Sequence, residues 1–285
     1  MPRASQPSTG QAVPPSSASR PSLGIIGFGA FGRLMAEHLR PHFRLYAYDP
    51  VLPGDTAAEV AGAALAGLPA AAACPVVVLA TPVSRLEEAV RAVGPYLRPG
   101  ALVLDVGSVK VVPAEIMRRG LPDHVGIVAT HPLFGPQSAR DGIRGLKVAV
   151  CPVRGPGAPR VAAFLRRALG LDAILTTPEA HDREAATVQG LTHLIAKVLV
   201  QMEPLPSRMT TRSFELLMEG VGMVRHDAPE VFEAIERANP YAPQVRRRFF
   251  DLAARLDAEL AGAAPAGAEG PAGTAGPAGT EGPPL

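Results

Sequence analysis

The feature that most constrains the fold of this 285-residue chain is a glycine-rich turn between an apolar run and an amphipathic helix. Residues 23–26 predict a β-strand, and Leu34, Met35 and Leu39 mark one face of the helix that follows the turn. In this setting the glycines permit a tight turn, close approach of the backbone to a pyrophosphate and close helix–strand packing. The pattern predicts a dinucleotide-binding βα unit, and glycines needed only for packing are the plainer alternative. The residues expected at the cofactor are Gly27, Phe28, Gly29, Ala30, Phe31 and Gly32.

Short apolar runs alternate with helical patterns as far as residue 177, which predicts a doubly wound, mostly parallel sheet. The predicted strands cover residues 23–26, 44–48, 76–80, 102–106, 125–129, 147–151 and 173–176. From residue 178 onward no run resembles a strand, and prolines separate four or five helical patterns. The expected fold is a Rossmann-type α/β domain of residues 23–178, followed by an all-helical domain of residues 179–260. Apolar stripes in residues 191–199 lead us to expect a homodimer through that helical domain.

The composition of the chain indicates which partners and which cellular compartment to expect. Residues 1–22 are rich in Ser and Pro, and residues 261–285 are mostly Ala, Gly and Pro, so we expect both to be disordered. A formal net charge of only +2 argues against nucleic acid or an anionic membrane as a partner. Cys74 and Cys151 lack metal or redox spacing, which predicts no metal and favours a reducing, cytoplasmic location. The acid-free N-terminal segment leaves a plastid location as a minor alternative.

Two further positions point to the cofactor. Asp49 ends the second predicted strand, 22 residues after Gly27, where an acid accepts hydrogen bonds from the adenosine ribose. A carboxylate there repels a 2′-phosphate, so we expect NAD and consider NADP a weaker alternative; a turn residue before Pro50 is the plainer interpretation. Thr81 and Pro82 follow the next core strand and either line the nicotinamide side of the cleft or form an ordinary turn.

The candidate catalytic residues follow two later strands. Ligands of open α/β sheets bind outside the carboxyl ends of the strands, and both Ser108 and His131 come just after such ends. A neutral imidazole can accept a hydroxyl proton while hydride leaves the same carbon. His131 is therefore a candidate general base or a satisfied loop histidine. Ser108 could orient that imidazole or the substrate hydroxyl, or it could cap a helix.

Four motifs together resemble the prephenate/arogenate dehydrogenases of tyrosine biosynthesis: GIIGFGAFG, DVGSVK, THPLFGP and HDREAATVQGLTHL. The resemblance covers roughly residues 23–257, and the pairing of the second motif with the third is the specific part. It implies an NAD(P)-dependent oxidoreductase acting on CH–CH donors, with a dinucleotide-binding domain and a helical dimerisation domain. It also implies that His131 is the catalytic histidine and that Ser108 supports it.

The resemblance implies a substrate site in the second half of the chain. His193 matches a histidine at the active-site end of the first helix of the helical domain, and a satisfied interhelix histidine is the alternative. Residues 211–248 look closest to the plant-type arogenate branch, in which Asp227 would recognise the substrate ammonium; a helix N-terminal residue is the alternative. Gln137 and Arg212 complete the expected substrate-binding set. Arg225 and Lys110 are further candidates for the substrate carboxylates.

Two other functions remain open at this stage. A β-hydroxyacid dehydrogenase or imine reductase has the same architecture and would use Lys197, but it leaves the THP motif unexplained. An NAD-sensing binding module would bind the cofactor without turnover. Because no further domain is predicted beside residues 23–260, we expect a monofunctional enzyme. Neither arogenate nor prephenate is excluded.

Overall fold

The computed structural model describes residues 20–52 and 59–262. The chain divides after Val245 into a large unit, which contains every described strand, and a short unit that begins at Arg246 within the last helix. The expected disorder of residues 1–22 and 261–285 lies almost wholly outside the described residues, and Ser22 already belongs to the first strand. In the part of the chain that is described, no helix is both long and apolar enough to cross a bilayer.

The described strands form one nine-stranded sheet in the order β3-β4-β2-β1-β5-β6-β7-β8-β9. The strands are β1 Ser22–Ile26, β2 Arg44–Tyr48, β3 Glu59–Val60, β4 Ala63–Leu65, β5 Val76–Leu79, β6 Leu102–Asp105, β7 Gly126–Pro132, β8 Lys147–Arg154 and β9 Asp172–Leu175. The six from β4 to β7 pair in parallel, whereas β3 pairs antiparallel with β4 and β8 pairs antiparallel with β7. The predicted doubly wound, mostly parallel sheet is therefore confirmed.

Helices connect these strands and cover the sheet. They are α1 Ala30–Leu39, α2 Leu68–Ala72, α3 Leu86–Val93, α4 Val111–Gly120 and α5 Gly157–Leu169. The buried side chains include Ile25, Leu79 and Ile127 from strands, Met117 from α4 and Phe28 from the glycine turn. Because the chain returns from β2 to β5 on the other side of β1, the strand order reverses at β1 and β5. Ligands of doubly wound sheets bind at such a switch point.

The described region after residue 177 contains helices and loops but no strand, as predicted. Its helices are α6 Pro178–Gln201, α7 Arg212–Val224, α8 Pro229–Glu233 and α9 Ala242–Leu260, and a π-helical turn, Ala234–Ala238, continues α8. The Thr177 side chain accepts a hydrogen bond from Ala180 N at 3.2 Å, and the Thr211 side chain accepts one from Phe214 N, so each long helix starts at a capping threonine.

Two features of the sheet differ from the sequence prediction. Strands β3 and β4 have two and three residues in an Ala- and Gly-rich segment, too short for a periodicity to reveal them. Strand β7 extends to Pro132 instead of ending at residue 129, because β8 pairs with it through His131↔Ala149 and Pro132↔Val148. His131 therefore lies within a strand and not in the loop after it.

Candidate active site

The glycine turn after β1 has the shape that a dinucleotide phosphate requires. Gly27 has φ +97°, and a Cβ there would lie 2.6 Å from Ala80 O, so only glycine fits the turn. A Cβ on Gly29 would meet nothing within 4 Å. This open space lies at the N terminus of α1, where no side chain caps the helix and no acidic residue occupies the first turn. Free backbone N–H groups and a helix dipole there favour an anion, so these residues fit a pyrophosphate.

Asp49 lies at the carboxyl end of β2 and is bonded to the glycine turn. Its Oδ2 accepts a hydrogen bond from Phe28 N at 2.8 Å, and its Oδ1 accepts one from Val51 N at 3.1 Å. The carboxylate therefore holds the turn in place. A carboxylate offers about four acceptor positions, so two remain for ribose hydroxyls.

Thr81 follows β5 on the other side of the switch point. Its Oγ1 is buried and has no hydrogen-bond partner among the residues that the structure describes. Pro82 comes next and precedes a short 3₁₀ helix, Val83–Arg85. A buried hydroxyl without a partner is costly unless a ligand satisfies it, so the position of Thr81 fits the expected cofactor lining.

His131 is buried in β7, with 3% of its surface exposed, and a second histidine contacts it. Its Nδ1 lies 2.9 Å from Nε2 of His181, and His181 Nδ1 donates to Asp182 Oδ1 at 2.8 Å. Burial, together with the nearby charges of His181, Lys110 and His193, holds the pKa of His131 well below its usual value. His131 is therefore neutral at physiological pH, which a general base requires.

Sequence reasoning did not assign roles to His181 and Asp182, although both stand at the start of the HDREAA motif. Asp182 accepts hydrogen bonds from Lys110 N at 2.7 Å and Val111 N at 2.8 Å, so a carboxylate of α6 caps the N terminus of α4. Asn239 in turn donates to the backbone carbonyl of Asp182 at 2.8 Å. These bonds fix the start of α6 against the edge of the sheet and with it the ring of His181.

Two residues of the DVGSVK motif do not have the expected contacts. The Ser108 hydroxyl has no hydrogen-bond partner in the described part of the chain, so it neither orients His131 nor caps α4. Lys110 is fully buried, and its Nζ donates to Asp105 Oδ2 at 2.5 Å and to Thr130 O at 2.6 Å. Two of the three N–H groups of its ammonium are thus bonded inside the protein, which does not favour the expected contact with a substrate carboxylate. Burial raises the pKa of Asp105, and the Lys110 ammonium opposes that shift.

His193, Asp227 and Gln137, all expected at the substrate, converge near the loop that follows β7. His193 Nε2 lies 3.2 Å from Asp227 Oδ2, and His193 Nδ1 lies 2.9 Å from Gln189 O. A methyl group placed on Gly135 would lie 3.7 Å from Asp227 Oδ1 and 3.6 Å from Gln137 Oε1. The Gln137 oxygen is buried without a partner among residues 20–52 and 59–262, as a group awaiting a ligand would be.

The two arginines expected near the substrate are paired with carboxylates of the protein. Arg212 contacts Glu215 and Glu219 on the surface of α7, about 18 Å of helix away from the end that adjoins Asp227. Within one protomer Arg212 therefore lies apart from the other residues expected at the substrate, and its role in substrate binding stays a prediction. Arg225 donates two hydrogen bonds to Glu203, at 3.0 and 3.1 Å. Lys197 is exposed, and its Nζ lies 5.2 Å from the centroid of the Phe232 ring.

In the described residues no group of three or more His, Cys, Asp or Glu side chains could hold a metal ion. The two cysteines are buried and free, and burial raises the pKa of Cys151 to about 12. The neutral imidazole of His131 is a group that can accept a proton beside the glycine turn.

Comparison with known proteins shows similarity to prephenate and arogenate dehydrogenases. Residues 41–176 match the prephenate dehydrogenase nucleotide-binding domain. The chain is 30% identical over 231 residues to arogenate dehydrogenase 2 of Arabidopsis thaliana, covering 77% of this chain and 64% of that protein. It is 27% identical over 187 residues to a probable arogenate/prephenate dehydrogenase of Methanocaldococcus jannaschii, covering 62% of this chain and 41% of that protein.

A crystal structure of prephenate dehydrogenase from A. aeolicus, in complex with hydroxyphenyl propionate and NAD⁺, shares the fold. The TM-score is 0.66 at 20% identity, over 85% of this chain and 91% of that one. The chain thus spans less than two thirds of the two curated relatives but most of the solved structure. The motifs, the sheet order and the matched nucleotide-binding domain together confirm the resemblance to the prephenate/arogenate dehydrogenases.

Proposed function

We propose that this protein catalyses the NAD(P)-dependent oxidative decarboxylation of arogenate, prephenate or both, giving tyrosine or 4-hydroxyphenylpyruvate. The observation that carries the proposal is the position of His131. It lies at the carboxyl edge of a doubly wound sheet that also carries the glycine turn, Asp49 and Thr81. Only its Nδ1 has a partner in the described chain, so Nε2 is available to a substrate hydroxyl.

In the proposed reaction, His131 is the general base. Nε2 of His131 accepts the proton of the ring hydroxyl as the C–H bond at the same carbon breaks. When bound, the nicotinamide cofactor supplies the hydride acceptor. The dienone that develops in the substrate is an electron sink for loss of CO₂, and aromatisation makes the reaction irreversible. Burial of the site excludes water and keeps His131 neutral until the hydroxyl proton arrives.

Replacing His131 by Asn tests this function. The amide has similar reach but cannot take a proton at neutral pH, so kcat should fall by about 10²–10⁴-fold. Cofactor affinity should be unchanged, because the glycine turn and Asp49 are unchanged.

His124→Asn is a matched control, since His124 contacts Leu97 O at the amino-terminal edge of β7. If H131N has the wild-type kcat, His131 is not the catalytic base, and a reductase that uses Lys197 becomes the favoured function. Tight cofactor binding with no turnover of either substrate by the wild-type protein favours a binding module.

We propose arogenate as the preferred substrate, with Asp227 as the residue that recognises its ammonium. His193 contacts Oδ2 of Asp227, whereas Oδ1 faces the Gly135 loop. A carboxylate oxygen turned toward the substrate loop favours a substrate that carries a cation over one that carries a keto group. The name of the Arabidopsis relative supports the same choice.

We further propose NAD as the preferred cofactor, a homodimer as the assembly and the cytoplasm as the location. The Asp49 carboxylate supports NAD because it would repel a 2′-phosphate. Exposed apolar side chains on α6, α7 and the segment between them support a homodimer through residues 179–260, which we propose as a separate helical domain. They are Val188, Val198, Met202, Met209, Leu216, Leu217 and Met223. The buried free thiols of Cys74 and Cys151 support a reducing compartment.

A further inference from the structure

Three side chains form a hydrogen-bonded series that ends at the candidate base. Asp182 lies at one end, fully buried, and its carboxylate accepts from His181 Nδ1 and from the backbone N–H groups of Lys110 and Val111. The two backbone N–H groups can only donate, and the carboxylate that accepts from both is an acceptor for His181 Nδ1 as well. His181 Nδ1 must therefore carry a proton, and a neutral His181 then presents a bare Nε2 to His131.

The bare Nε2 of His181 determines where His131 keeps its own proton. The two nitrogens, His181 Nε2 and His131 Nδ1, are 2.9 Å apart, and one of them must donate. Because Nε2 of neutral His181 can only accept, His131 carries its proton on Nδ1 and has its lone pair on Nε2. This tautomer is the one that a general base facing the substrate needs.

The charges around the two rings are unequal. His131 is close to the Lys110 ammonium and to His193, and the carboxylates nearest to these two are already paired, Asp105 with Lys110 and Asp227 with His193. His181 has the unpaired charge of Asp182 directly beside it. An added proton is therefore better accommodated on His181 than on His131.

We propose that His181 is a positioning residue that holds the His131 proton on Nδ1 and receives that proton when His131 accepts the substrate's hydroxyl proton at Nε2. The inference rests on the proposed role of His131 as the base. The substrate O–H bond breaks, its electron pair stays on oxygen, and an Nε2–H bond forms on His131. The Nδ1–H bond of His131 then breaks as an Nε2–H bond forms on His181. The positive charge is then on the ring of His181, beside the carboxylate of Asp182.

The tautomers can be observed in the wild-type protein without any turnover. In long-range ¹H–¹⁵N spectra of histidine-labelled protein, His131 should show a protonated Nδ1 and a pyridine-like Nε2 at neutral pH. On acidification, the first of the two rings to become doubly protonated should be His181. A neutral His131 protonated on Nε2, or an imidazolium that appears on His131 first, overturns the proposal.

Two substitutions separate orientation from proton transfer. In His181→Gln the amide oxygen can still accept the His131 proton but cannot take it, so the tautomer should persist while kcat falls by about tenfold to 100-fold, part of the general-base contribution. The low-pH limb of the kcat profile should also move to lower pH, because His131 must then hold the added proton itself. In His181→Leu both the tautomer and the rate should be lost.

His124→Gln is the control, because His124 lies outside the series and should change neither the spectrum nor the profile. An H181Q protein with the wild-type pH profile shows that His181 takes no proton and refutes the transfer step. If H131N retains turnover, the proposed function fails, but the wild-type spectra still show which nitrogen of His131 carries the proton. If H131N is inactive and H181Q is unchanged, only the inference about His181 fails.

Discussion

The glycine turn allows a sharp test, because two of its glycines are required for different physical reasons. A methyl group on Gly27 would lie 2.6 Å from Ala80 O, and its φ of +97° is unfavourable for any other residue. The backbone strain costs about 1–3 kcal/mol, and forcing a methyl group into packed backbone costs about 1–3 kcal/mol more. Gly27→Ala should therefore lower the free energy of unfolding by about 2–6 kcal/mol, the sum of these two ranges.

Gly29→Ala should behave in the opposite way. Gly29 has φ −69° and ψ −162°, which alanine adopts readily, and its Cβ would meet nothing within 4 Å. Folding should be unchanged or stabilised by about 0.4–1 kcal/mol, because the unfolded chain loses freedom. The new methyl group instead occupies the space through which a pyrophosphate approaches α1. Loss of one hydrogen bond to a charged group costs about 1.5–3 kcal/mol, so the Kd for cofactor should rise about tenfold to 100-fold.

Urea unfolding of the cofactor-free proteins and titration with NADH fluorescence measure the two effects separately. Gly94→Ala is a control, because Gly94 also has open space around its Cβ but lies in the turn after α3. Unchanged cofactor affinity in G29A would mean that this turn does not hold the phosphates. Wild-type stability in G27A would refute the steric argument.

Four further predictions follow from the same structure. The pKa of His131 is lowered in the folded state, so below pH 6.5 the unfolded chain binds a proton that the folded chain does not. Acidification should therefore lower the free energy of unfolding by up to about 1.4 kcal/mol per pH unit. Urea titrations at several pH values should show this slope in the wild-type protein and not in H131N. Asp227→Asn should lower the ratio of kcat/KM for arogenate over prephenate about tenfold or more, while Glu219→Gln on the exposed face of α7 should leave it unchanged. Asp49→Ser should relax discrimination against NADP⁺ in paired kcat/KM measurements; an unchanged ratio would show that another residue selects the cofactor. Sedimentation at micromolar concentration should give a species near twice the 29.6 kDa chain mass, and a monomer alone contradicts the dimer.

Local patterns were sufficient to predict the fold class and the cofactor loop. A strand, a tight turn and a helix N terminus are each specified by neighbouring residues, so the seven strands and the GxGxxG turn could be located without tertiary information. The sequence also predicted that Asp49 and Thr81 lie at the same edge of the sheet, because the carboxyl ends of parallel strands meet at one edge. The length of β7 could not be predicted, since it depends on its antiparallel pairing with β8, whose partner residues are far away in the chain.

The contacts of the catalytic region depend on distances along the chain that no local pattern spans. His181 lies 50 residues after His131, and Asp182 lies 72 residues after the Lys110 N–H that it caps. Lys110 was expected to face the substrate, but its ammonium is buried against Asp105 because the DVGSVK turn folds back on β6. The role expected for Ser108 stays a prediction, and in the described structure the side chain that contacts His131 Nδ1 is that of His181.

The sequence by itself determined which segments become strands and helices and where the glycine turn lies, and it predicted a dinucleotide site at that turn and a base at His131. These features depend on short-range sterics and on the chemistry of single side chains. Only the tertiary structure decided what those side chains contact. Packing of α6 against α4 brings His181 and Asp182 to His131, and packing of α6 against α7 pairs His193 with Asp227. The hydrogen bonds and burial created there set the proton positions and the pKa of His131, and these properties arise from groups that meet only when the chain has folded.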